Sequence, residues 1–444
     1  MTSTWSNWGR NVTATPADVE VPADAEAVAA VLVRAAEAGR KVRPVGSGHS
    51  FTPVGAALDV ALRPDRLTGV VDADTVTGRV RVRAGTPLFA LNRALDDLGL
   101  ALPNLGDIDR QTVAGALATG THGTGAGFQG IAAAVTGLTV ALADGRLVRC
   151  DAGTEPDLFA AARISLGALG VLTEVELACV PAFRLRALER PEPLPDVLAD
   201  LDGFATSADH AELYWFPHTE VALTKRNTRL PPGEEPPPDA AGGRPLPRWR
   251  GLLEDEVLSN GVFEVTNRIT SLAPGTTPAL NRLAASSPGE RTFTDRSHRV
   301  FCSRRRVRFV ESEYAVPRSA AADVLSELRS WFRRTGTAAA FPVEVRFLAG
   351  DDVWLSTAYG RDTAYVAVHQ YHRGDMGAYL DAFESIVAEH DGRPHWGKLH
   401  RLGVAELRRL HPRLDDVRAV GDLLDPGRVL GSPYLTTVLG ARAA

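Results

Sequence analysis

The segment Arg43–Pro53 reads RPVGSGHSFTP and carries the strongest local signal in the chain. A short strand is predicted at its start, and the Gly-Ser-Gly run at 46–48 follows directly. Successive backbone N–H groups in such a loop can point toward one anion, and Ser50 can add a hydroxyl donor. His49 lies in the middle. The segment therefore predicts either an anion-binding loop or a tight turn that exposes a histidine.

A second glycine-rich segment, TVAGALATGTHGTGAGFQG, occupies 112–130. Its few large side chains allow the backbone to pack closely against a flat group. The pattern Gly125-x-Gly127-x-x-Gly130 imitates a dinucleotide fingerprint, but no strand precedes it and no βαβ unit surrounds it, so we reject that interpretation. The better candidates for binding are Thr119, Gly120, Thr121, His122 and Gly123.

Three downstream motifs form a third cluster: PVEVRF (342–347), VAVHQYH (366–372) and RPHWGKLH (393–400). Glu344 and Arg346 are two residues apart on a predicted strand and so share a face. They are either a functional pair or an ion pair between neighbouring strands at the surface.

The composition of the 444 residues is typical of a soluble globular protein, with 44% hydrophobic and 23% charged residues. The net charge of −5 gives no electrostatic footprint for nucleic acid or an anionic membrane. No secretory signal is recognisable, and no apolar run approaches the roughly 18 residues that span a bilayer. We expect a cytoplasmic protein with no nucleic-acid, membrane or obligatory protein partner.

Lysine is rare: among 49 basic residues only Lys41, Lys225 and Lys398 are lysines. This indicates a bias that replaces lysine wherever arginine will serve, although the two side chains are not interchangeable at a site. Lys41 precedes a strand, and Lys225 lies beside Arg226 in a polar stretch, so both have ordinary explanations. Lys398 is therefore the lysine predicted to have a chemical role.

The histidines and cysteines do not predict a metal site. The pairs His369/His372 and His395/His400 lack a Cys, Asp or Glu that would complete a tetrahedral set. Three widely spaced cysteines, Cys150, Cys179 and Cys302, indicate reduced and buried residues and no disulfide framework.

Helical and strand patterns alternate along the chain, which predicts an α+β fold. Helices are expected at 24–39 and 86–99, and a hairpin at 135–150 with its turn at Asp144-Gly145. The sequence texture changes near Val180–Pro181. A segment at 231–247 is so rich in Pro and Gly that we expect a loop or disordered insertion there.

Taken together, these segments resemble the FAD-linked oxidases of the vanillyl-alcohol oxidase type, in the branch of sugar-1,4-lactone and alditol oxidases. The motifs are VGSGHSF, PNLGDIDRQTVAGALATGTHGTG and SLGALGVLTEV in the first half, and PVEVRF, GDDVWLS and HWGKLH in the second. The resemblance implies a PCMH-type FAD-binding domain at 1–181 and an α+β substrate (cap) domain at 182–400. A C-terminal segment at 401–444 would return towards the FAD domain.

The resemblance also implies roles for individual residues. In this branch the histidine of GSGHS is commonly bonded to the flavin 8α-methyl group, which here is His49. Lys398 corresponds to the lysine of HWGK beside the flavin, and Glu344 and Arg346 to a substrate-binding pair. FAD would be held by Pro44, Val45, Gly46, Ser47, Gly48, His49, Ser50, Gly106, Thr112, Gly115, Thr119, Gly120, His122, Val171 and His395. Catalysis would rest on Glu344, Arg346, His369 and Lys398, and substrate would also contact Asp107 and Tyr371.

The implied reaction is transfer of a hydride from an alcohol carbon to flavin N5, with O₂ reoxidising the flavin to give hydrogen peroxide. In this family a glycine at the position of Gly106 is found with oxidases, whereas alanine can block oxygen. Asp107, in place of a serine common in alditol oxidases, and Tyr371 favour aldono-1,4-lactones over open-chain alditols. Two further hypotheses remain: a dehydrogenase that uses another acceptor, and a carbohydrate-binding module without catalysis.

Overall fold

The computed structural model describes residues 4–231, 242–245, 263–286, 289–303 and 307–441. The Pro-rich insertion predicted at 231–247 lies for the most part outside the described residues. Helices and sheets are mixed, as the α+β prediction requires. No helix in the described ranges is long and apolar enough to cross a membrane.

The residues up to 181 form four small sheets. A three-stranded parallel sheet has the order Asp18–Glu20, Val60–Leu62, Val42–Pro44. A five-stranded antiparallel sheet has the order Leu147–Asp151, Val135–Ala141, Val171–Ala178, Arg79–Arg83, Val70–Asp74. Two-stranded pairs join Trp5–Ser6 to Thr13–Ala14 and Leu100–Ala101 to Val180–Pro181.

Four helices accompany these sheets, at Ala25–Glu37, Leu88–Asp97, Val113–Thr119 and Pro156–Ala162. The first two confirm the helices predicted at 24–39 and 86–99, and Asp24 caps the first by accepting from the Ala27 N–H at 2.8 Å. The predicted hairpin is also present, and Gly145 supplies the left-handed turn residue with φ of 88°.

Residues 184–394 contribute a single eight-stranded antiparallel sheet. Its strands lie in the order Arg291–Arg296, Arg184–Pro193, Val221–Arg229, His210–Trp215, Val343–Leu348, Thr363–Tyr371, Phe309–Pro317, Arg393–Pro394. Its accompanying helices are Leu194–Ala199, Leu201–Thr206, Phe263–Leu272, Thr277–Ser286, Ser297–Phe301, Ala321–Thr335 and Gly377–Ala388.

The central strands of this sheet have two different faces. In Phe309–Pro317, for example, the apolar side chains of Val310, Tyr314 and Val316 join the core under the helices Ala321–Thr335 and Gly377–Ala388. Glu311 and Glu313 alternate with them and so point to the opposite face. Acidic and basic side chains are thereby gathered on one face of the sheet.

The register brings those charged residues into rows. Glu212 is opposite Arg346, Tyr214 is opposite Glu344, and Glu311 is opposite His369. Directly opposed side chains in antiparallel strands lie close enough to interact. The sheet therefore places opposite one another residues that are 58 to 134 positions apart in sequence.

The chain ends in three helices, Val404–Leu410, Leu414–Leu424 and Pro433–Leu439. Their side chains Leu407, Leu414, Val417 and Leu435 share a buried cluster with residues of the first 181 positions. The backbone N–H of Val42 donates to the carbonyl of Val429 at 2.7 Å. The end of the chain thus packs against the strand that leads into the loop at 46–48.

Candidate active site

Two adjoining cavities lie beside the predicted loop. The first, which we call the long cavity, has a volume of about 960 Å³ and runs along 43–50, Thr112, Gly115 and 165–172. The second, the charged cavity, has a volume of about 590 Å³ and lies against the charged face of the eight-stranded sheet. His49, Ser50, Gln111 and Thr119 line both cavities, so the two cavities adjoin at these residues.

The loop at 46–48 needs its glycines for close packing. A Cβ atom on Gly46 would lie 2.7 Å from Thr112 Oγ1, and Gly48 has a left-handed φ of 72°. Thr112 in turn caps the helix Val113–Thr119 by accepting from the Gly115 N–H at 3.1 Å. The Gly48 carbonyl accepts from the Trp8 N–H at 2.7 Å. These contacts fix the loop as one wall of the long cavity.

A buried arginine that the motif analysis missed supports this wall. Arg43 is 2% exposed, and its guanidinium donates to the carbonyls of Val54, Leu166, Gly167 and Leu430. Burial lowers the pKa of Arg43 to about 10. Its four carbonyl partners tie the strand Val42–Pro44 to two distant segments.

Lys398 and Glu311 form an ion pair at the charged cavity. The Lys398 ammonium donates to Glu311 Oε2, and the two side chains are 21% and 7% exposed. Burial acts to lower the pKa of Lys398, but the charges of Glu311 and Glu313 outweigh it, so the pKa is raised. Lys398 is therefore a cation over the whole physiological range.

Arg346 is the centre of a second charged group. Its guanidinium pairs with Glu344, lies 3.2 Å from Glu212 Oε2 through Nε, and lies 3.4 Å from Asp107 Oδ2 through Nη2. Burial opposes its charge, but the carboxylates outweigh burial and raise the pKa of Arg346. The pair predicted from PVEVRF is thus buried, which excludes the interpretation as a surface ion pair.

His369 joins the two charged groups. Its Nε2 atom is 3.6 Å from Glu311 Oε1 and 4.0 Å from Glu344 Oε2, while Nδ1 is 3.1 Å from the Pro342 carbonyl. A carbonyl accepts only, so Nδ1 carries a proton. The imidazole therefore faces both carboxylates with its other nitrogen.

A third group contains His122, Glu313 and His395, whose potential ligand atoms lie within 4.8 Å of one another. His395 Nδ1 accepts from the Gly397 N–H at 3.1 Å, and the Gly120 carbonyl accepts from the same ring. Both nitrogens of His395 are thus engaged, and burial lowers its pKa to about 3. Glu313 thus stands beside two histidines, a grouping that the spacing of the histidines in the sequence did not predict.

Glu313 is the charged member of this group. His122 Nε2 lies 3.4 Å from Glu313 Oε1, and both side chains are at most 5% exposed. Burial acts to raise the pKa of Glu313, but His122 outweighs it and holds that pKa well below the usual range. Glu313 is therefore an anion behind the charged cavity.

His49 lies where the two cavities meet. Its ring stacks on Trp8 with 5.9 Å between centroids. Burial lowers the pKa of His49 to about 4, with Lys398 and Arg110 acting in the same direction. The imidazole is consequently neutral at physiological pH.

Gly106 and Asp107 line the charged cavity on a loop held from behind by 302–303. The Ser303 N–H donates to the Asp107 carbonyl at 2.9 Å. A Cβ atom on Gly106 would lie 3.0 Å from the His122 carbonyl oxygen, which is tighter than ordinary contact. A side chain at this position would therefore press on the backbone beside His122.

The structure brings most predicted site residues to the cavities. The long cavity is lined by Pro44, Val45, Gly46, Ser47, Gly48, His49, Ser50, Thr112, Gly115, Thr119 and Val171, and the charged cavity by Gly106, Asp107, His122, Arg346, His395 and Lys398 as well. Gly120 ends the helix before His122 with φ of 75°. Glu344 and His369 line neither cavity, but they lie against Arg346 and Glu311, which line the charged cavity.

Two expectations need correction. Tyr371 does not line either cavity, and its hydroxyl donates to Glu264 Oε1 at 2.7 Å. Lys225 is not an ordinary polar-stretch lysine. Its ammonium is 3.3 Å from Glu212 Oε1, and its side chain is 18% exposed. Lys225 thus belongs to the charged network around Arg346.

Sequence reasoning missed the acidic members Glu212, Glu311 and Glu313. Glu212 lies in AELYW, and Glu311 and Glu313 flank Ser312 in FVESEY, so each belongs to a predicted strand. A charged residue in a strand is also what a half-exposed strand shows, so the sequence indicated a face without indicating what covers it. Trp8 and Gln111, which also line the charged cavity, left no comparable signal.

Comparison with known proteins defines the class of protein to which this chain belongs. The fold is that of cholesterol oxidase from B. sterolicum, with a TM-score of 0.80 over 99% of this chain and 97% of that chain at 20% sequence identity. Residues 16–151 match the FAD binding domain family. The fold and the site therefore define a flavin-dependent oxidoreductase with a PCMH-type FAD-binding domain.

The family follows from the second half of the chain. Residues 175–438 match the D-arabinono-1,4-lactone oxidase family, and the chain belongs to that family. It is 41% identical over 441 residues to L-gulono-1,4-lactone dehydrogenase of Mycobacterium tuberculosis, covering 99% of this chain and all of that protein. It is 33% identical over 451 residues to alditol oxidase of a Streptomyces strain, with the same coverage. The hypothesis of a binding module without catalysis is therefore wrong.

The long cavity fits the FAD that this family binds. Gly46, Gly48, Gly115 and Gly167 lie in its wall without side chains, so the backbone can approach a bound group closely. The residues that line it carry hydroxyls at Ser47, Ser50, Thr119 and Ser165, and none of these described residues is acidic, as a bound pyrophosphate requires.

Proposed function

We propose that this protein oxidises an alcohol group of an aldono-1,4-lactone, with FAD in the long cavity and O₂ as the electron acceptor. The observation that carries the proposal is that the two cavities adjoin at His49, Ser50, Gln111 and Thr119, which line both. A hydride acceptor held in the long cavity would meet a substrate held among the charged groups. FAD supplies that acceptor when it is bound.

The charged cavity is suited to a neutral polyhydroxylated molecule. Arg346 can donate to ring or carbonyl oxygens, and Asp107 can accept from a hydroxyl; both line the cavity. Glu344 and Glu212 hold the guanidinium in place from behind. Paired donors and acceptors of this kind recognise hydroxyl-rich substrates through directional hydrogen bonds.

The substrate hydroxyl must lose a proton as its carbon loses hydride. His369 faces Glu311 and Glu344, so a proton accepted at its Nε2 would be stabilised by two carboxylates. Lys398 supplies positive charge in the same cavity, where negative charge develops during the reaction. We assign proton removal to His369 and charge stabilisation to Lys398.

We also propose that FAD is bonded covalently to His49. The position of His49 at the junction of the cavities supports this. So does its low pKa, because a nucleophilic imidazole nitrogen must be unprotonated.

A dehydrogenase is the second candidate function. It is favoured by the name of the mycobacterial relative, which is 41% identical to this chain. Gly106 supports the oxidase, because it adds no side chain to the wall of the charged cavity. Asp107 in that wall supports a lactone over an open-chain alditol, on the resemblance described above.

A substrate panel tests the proposed chemistry independently of the electron acceptor. Under anaerobic conditions, aldono-1,4-lactones should bleach the visible flavin absorbance faster than alditols or aldoses do. Bleaching by alditols alone would replace the lactone assignment. Absence of bleaching with every member of the panel would contradict the proposal.

A further inference from the structure

We propose that Glu311 is a positioning residue that holds the Lys398 ammonium at the charged cavity and keeps it charged. Nothing in the motif analysis or in the family assignment gives Glu311 a role. The inference rests on the proposed function only for the use of Lys398 in catalysis. The ion pair itself stands on geometry.

Glu311 is fixed from several directions. Its Oε2 accepts from Lys398 Nζ, and its Oε1 lies 3.6 Å from His369 Nε2. Its backbone carbonyl accepts from the Leu399 N–H at 2.8 Å, directly after Lys398 in the chain. Because these contacts fix Glu311, its carboxylate cannot move with the Lys398 ammonium. The carboxylate therefore defines the position of the ammonium.

Among the groups around Lys398, Glu311 is the main one that stabilises the charge of the ammonium. Phe51 lies below the ammonium, with 5.4 Å from Nζ to the ring centroid. Burial disfavours the charged ammonium, and the largest opposing influence is Glu311. The other ionisable side chains that line the charged cavity are His49, Asp107, His122, Glu313, Arg346 and His395.

These neighbours do not substitute for Glu311. Glu313 is paired with His122, and Asp107 lies 3.4 Å from Arg346. His49 and His395 have lowered pKa values and add no negative charge. Without the carboxylate of Glu311, Lys398 would keep its burial but lose its hydrogen-bonded counterion.

The rarity of lysine provides a direct measurement. Since the chain contains only Lys41, Lys225 and Lys398, a sample labelled with ¹³C-lysine gives three side-chain ε-carbon signals. Substituting each lysine by arginine in turn assigns them. Titration of the FAD-loaded protein then reports the pKa of Lys398 without any enzyme assay.

In Glu311→Gln, an isosteric and uncharged variant, we expect the pKa of Lys398 to fall by about 1 to 3. The signals of Lys41 and Lys225 should titrate as in the unmodified protein. Glu192→Gln is the matched control, because Glu192 pairs with Arg226 in the same sheet at 2.6 Å and lies outside both cavities. It should leave all three lysine signals unchanged.

An unchanged pKa of Lys398 in Glu311→Gln would overturn the inference. Glu311→Asp serves if the glutamine variant does not fold. It keeps the charge but withdraws it by one methylene, so we expect a lower kcat for lactone oxidation with KM nearly unchanged. Unaltered kcat in Glu311→Asp would equally count against positioning.

The same experiment separates the inference from the proposed function. If the pKa of Lys398 falls in Glu311→Gln but the unmodified protein oxidises no lactone, the ion pair stands and the proposed function fails. If lactones are oxidised and Glu311→Gln changes neither the pKa of Lys398 nor kcat, the inference alone fails.

Discussion

The Lys398 ammonium lies on the wall of the charged cavity, with Glu311 as its counterion and the Phe51 ring below it. Its rarity and its place in HWGK predict a chemical role for it. Its partner could not be predicted, because Glu311 is 87 residues away and becomes a neighbour only through the sheet order. The motifs predicted Glu344, Arg346 and His369 on strands as well as Lys398, whereas the counterions Glu212 and Glu311 required the fold.

The ammonium of Lys398 should not be replaceable by a guanidinium. In Lys398→Arg the charge is retained, but a broad planar group must fit between Glu311 and Phe51. We expect kcat to fall by at least about tenfold, corresponding to ~1.4 kcal/mol in the activation free energy.

Lys41→Arg is the control for this substitution. The Lys41 ammonium donates to the Gly427 carbonyl at 3.1 Å, and Lys41 lines neither of the two cavities. A kcat of Lys398→Arg close to that of the unmodified protein in the steady-state assay would show that a guanidinium can replace the ammonium at this position.

His49 is expected to anchor the flavin. After acid precipitation, yellow colour should stay with the unmodified polypeptide and should pass into the supernatant for His49→Ala. His372→Ala, in a histidine outside both cavities, should behave as the unmodified protein does. Flavin retained by precipitated His49→Ala would place the bond elsewhere.

At the scale of elements, local patterns predicted the helices Ala25–Glu37 and Leu88–Asp97 and the hairpin at 135–150. Their periodicity, caps and turn residues are close in sequence, so the information is local. The neighbours of Val343–Leu348 are not local, because His210–Trp215 and Thr363–Tyr371 flank it. The burial of Glu344 and Arg346 could therefore not be decided from the strand alone.

The two glycine-rich loops differ in the space that they leave for an added side chain. A Cβ atom in Gly46→Ala would lie 2.7 Å from Thr112 Oγ1, so we expect the loop to move and the bound FAD content to fall several-fold. Gly127→Ala is the control, since no atom lies within 4 Å of the position of its Cβ and Gly127 belongs to the rejected fingerprint.

Flavin absorbance per mole of purified protein measures the result. We expect a normal FAD content in Gly127→Ala and a lowered FAD content in Gly46→Ala. The reverse order would restore the dinucleotide fingerprint and contradict the assignment of the long cavity.

At the scale of the whole molecule, two hydrogen bonds to backbone carbonyls join the two halves of the site. The Phe51 N–H donates to the Gly397 carbonyl at 2.7 Å, and the Thr52 hydroxyl donates to the Trp396 carbonyl at 3.0 Å. The loop after His49 and the segment of Lys398 are thus a single unit. The resemblance anticipated both motifs but not this direct contact.

Buried histidines should make the whole protein less stable in mild acid. Burial lowers the pKa of His210 and His400 to about 4 and that of His395 to about 3. Between these values and the ordinary pKa of 6.5, the unfolded chain binds more protons than the folded chain, so stability rises with pH.

We therefore expect the free energy of unfolding to decrease by a few kcal/mol between about pH 6.5 and pH 4. Urea titrations at several pH values measure it. Glu313, with its lowered pKa, adds a further loss only at still lower pH. Stability that is constant from pH 7 to pH 4 would show that these histidines are not buried as described.

We expect the electron acceptor to depend on the wall of the charged cavity, where Gly106 lies beside the His122 carbonyl. The most direct test of the account measures hydrogen peroxide and lactone consumption together in air-saturated buffer. We expect one molecule of hydrogen peroxide for each molecule of lactone oxidised. We also expect air to reoxidise the flavin once the lactone is exhausted. Flavin that is bleached by lactone but stays reduced in air, with no peroxide formed, would contradict the oxidase and establish the dehydrogenase.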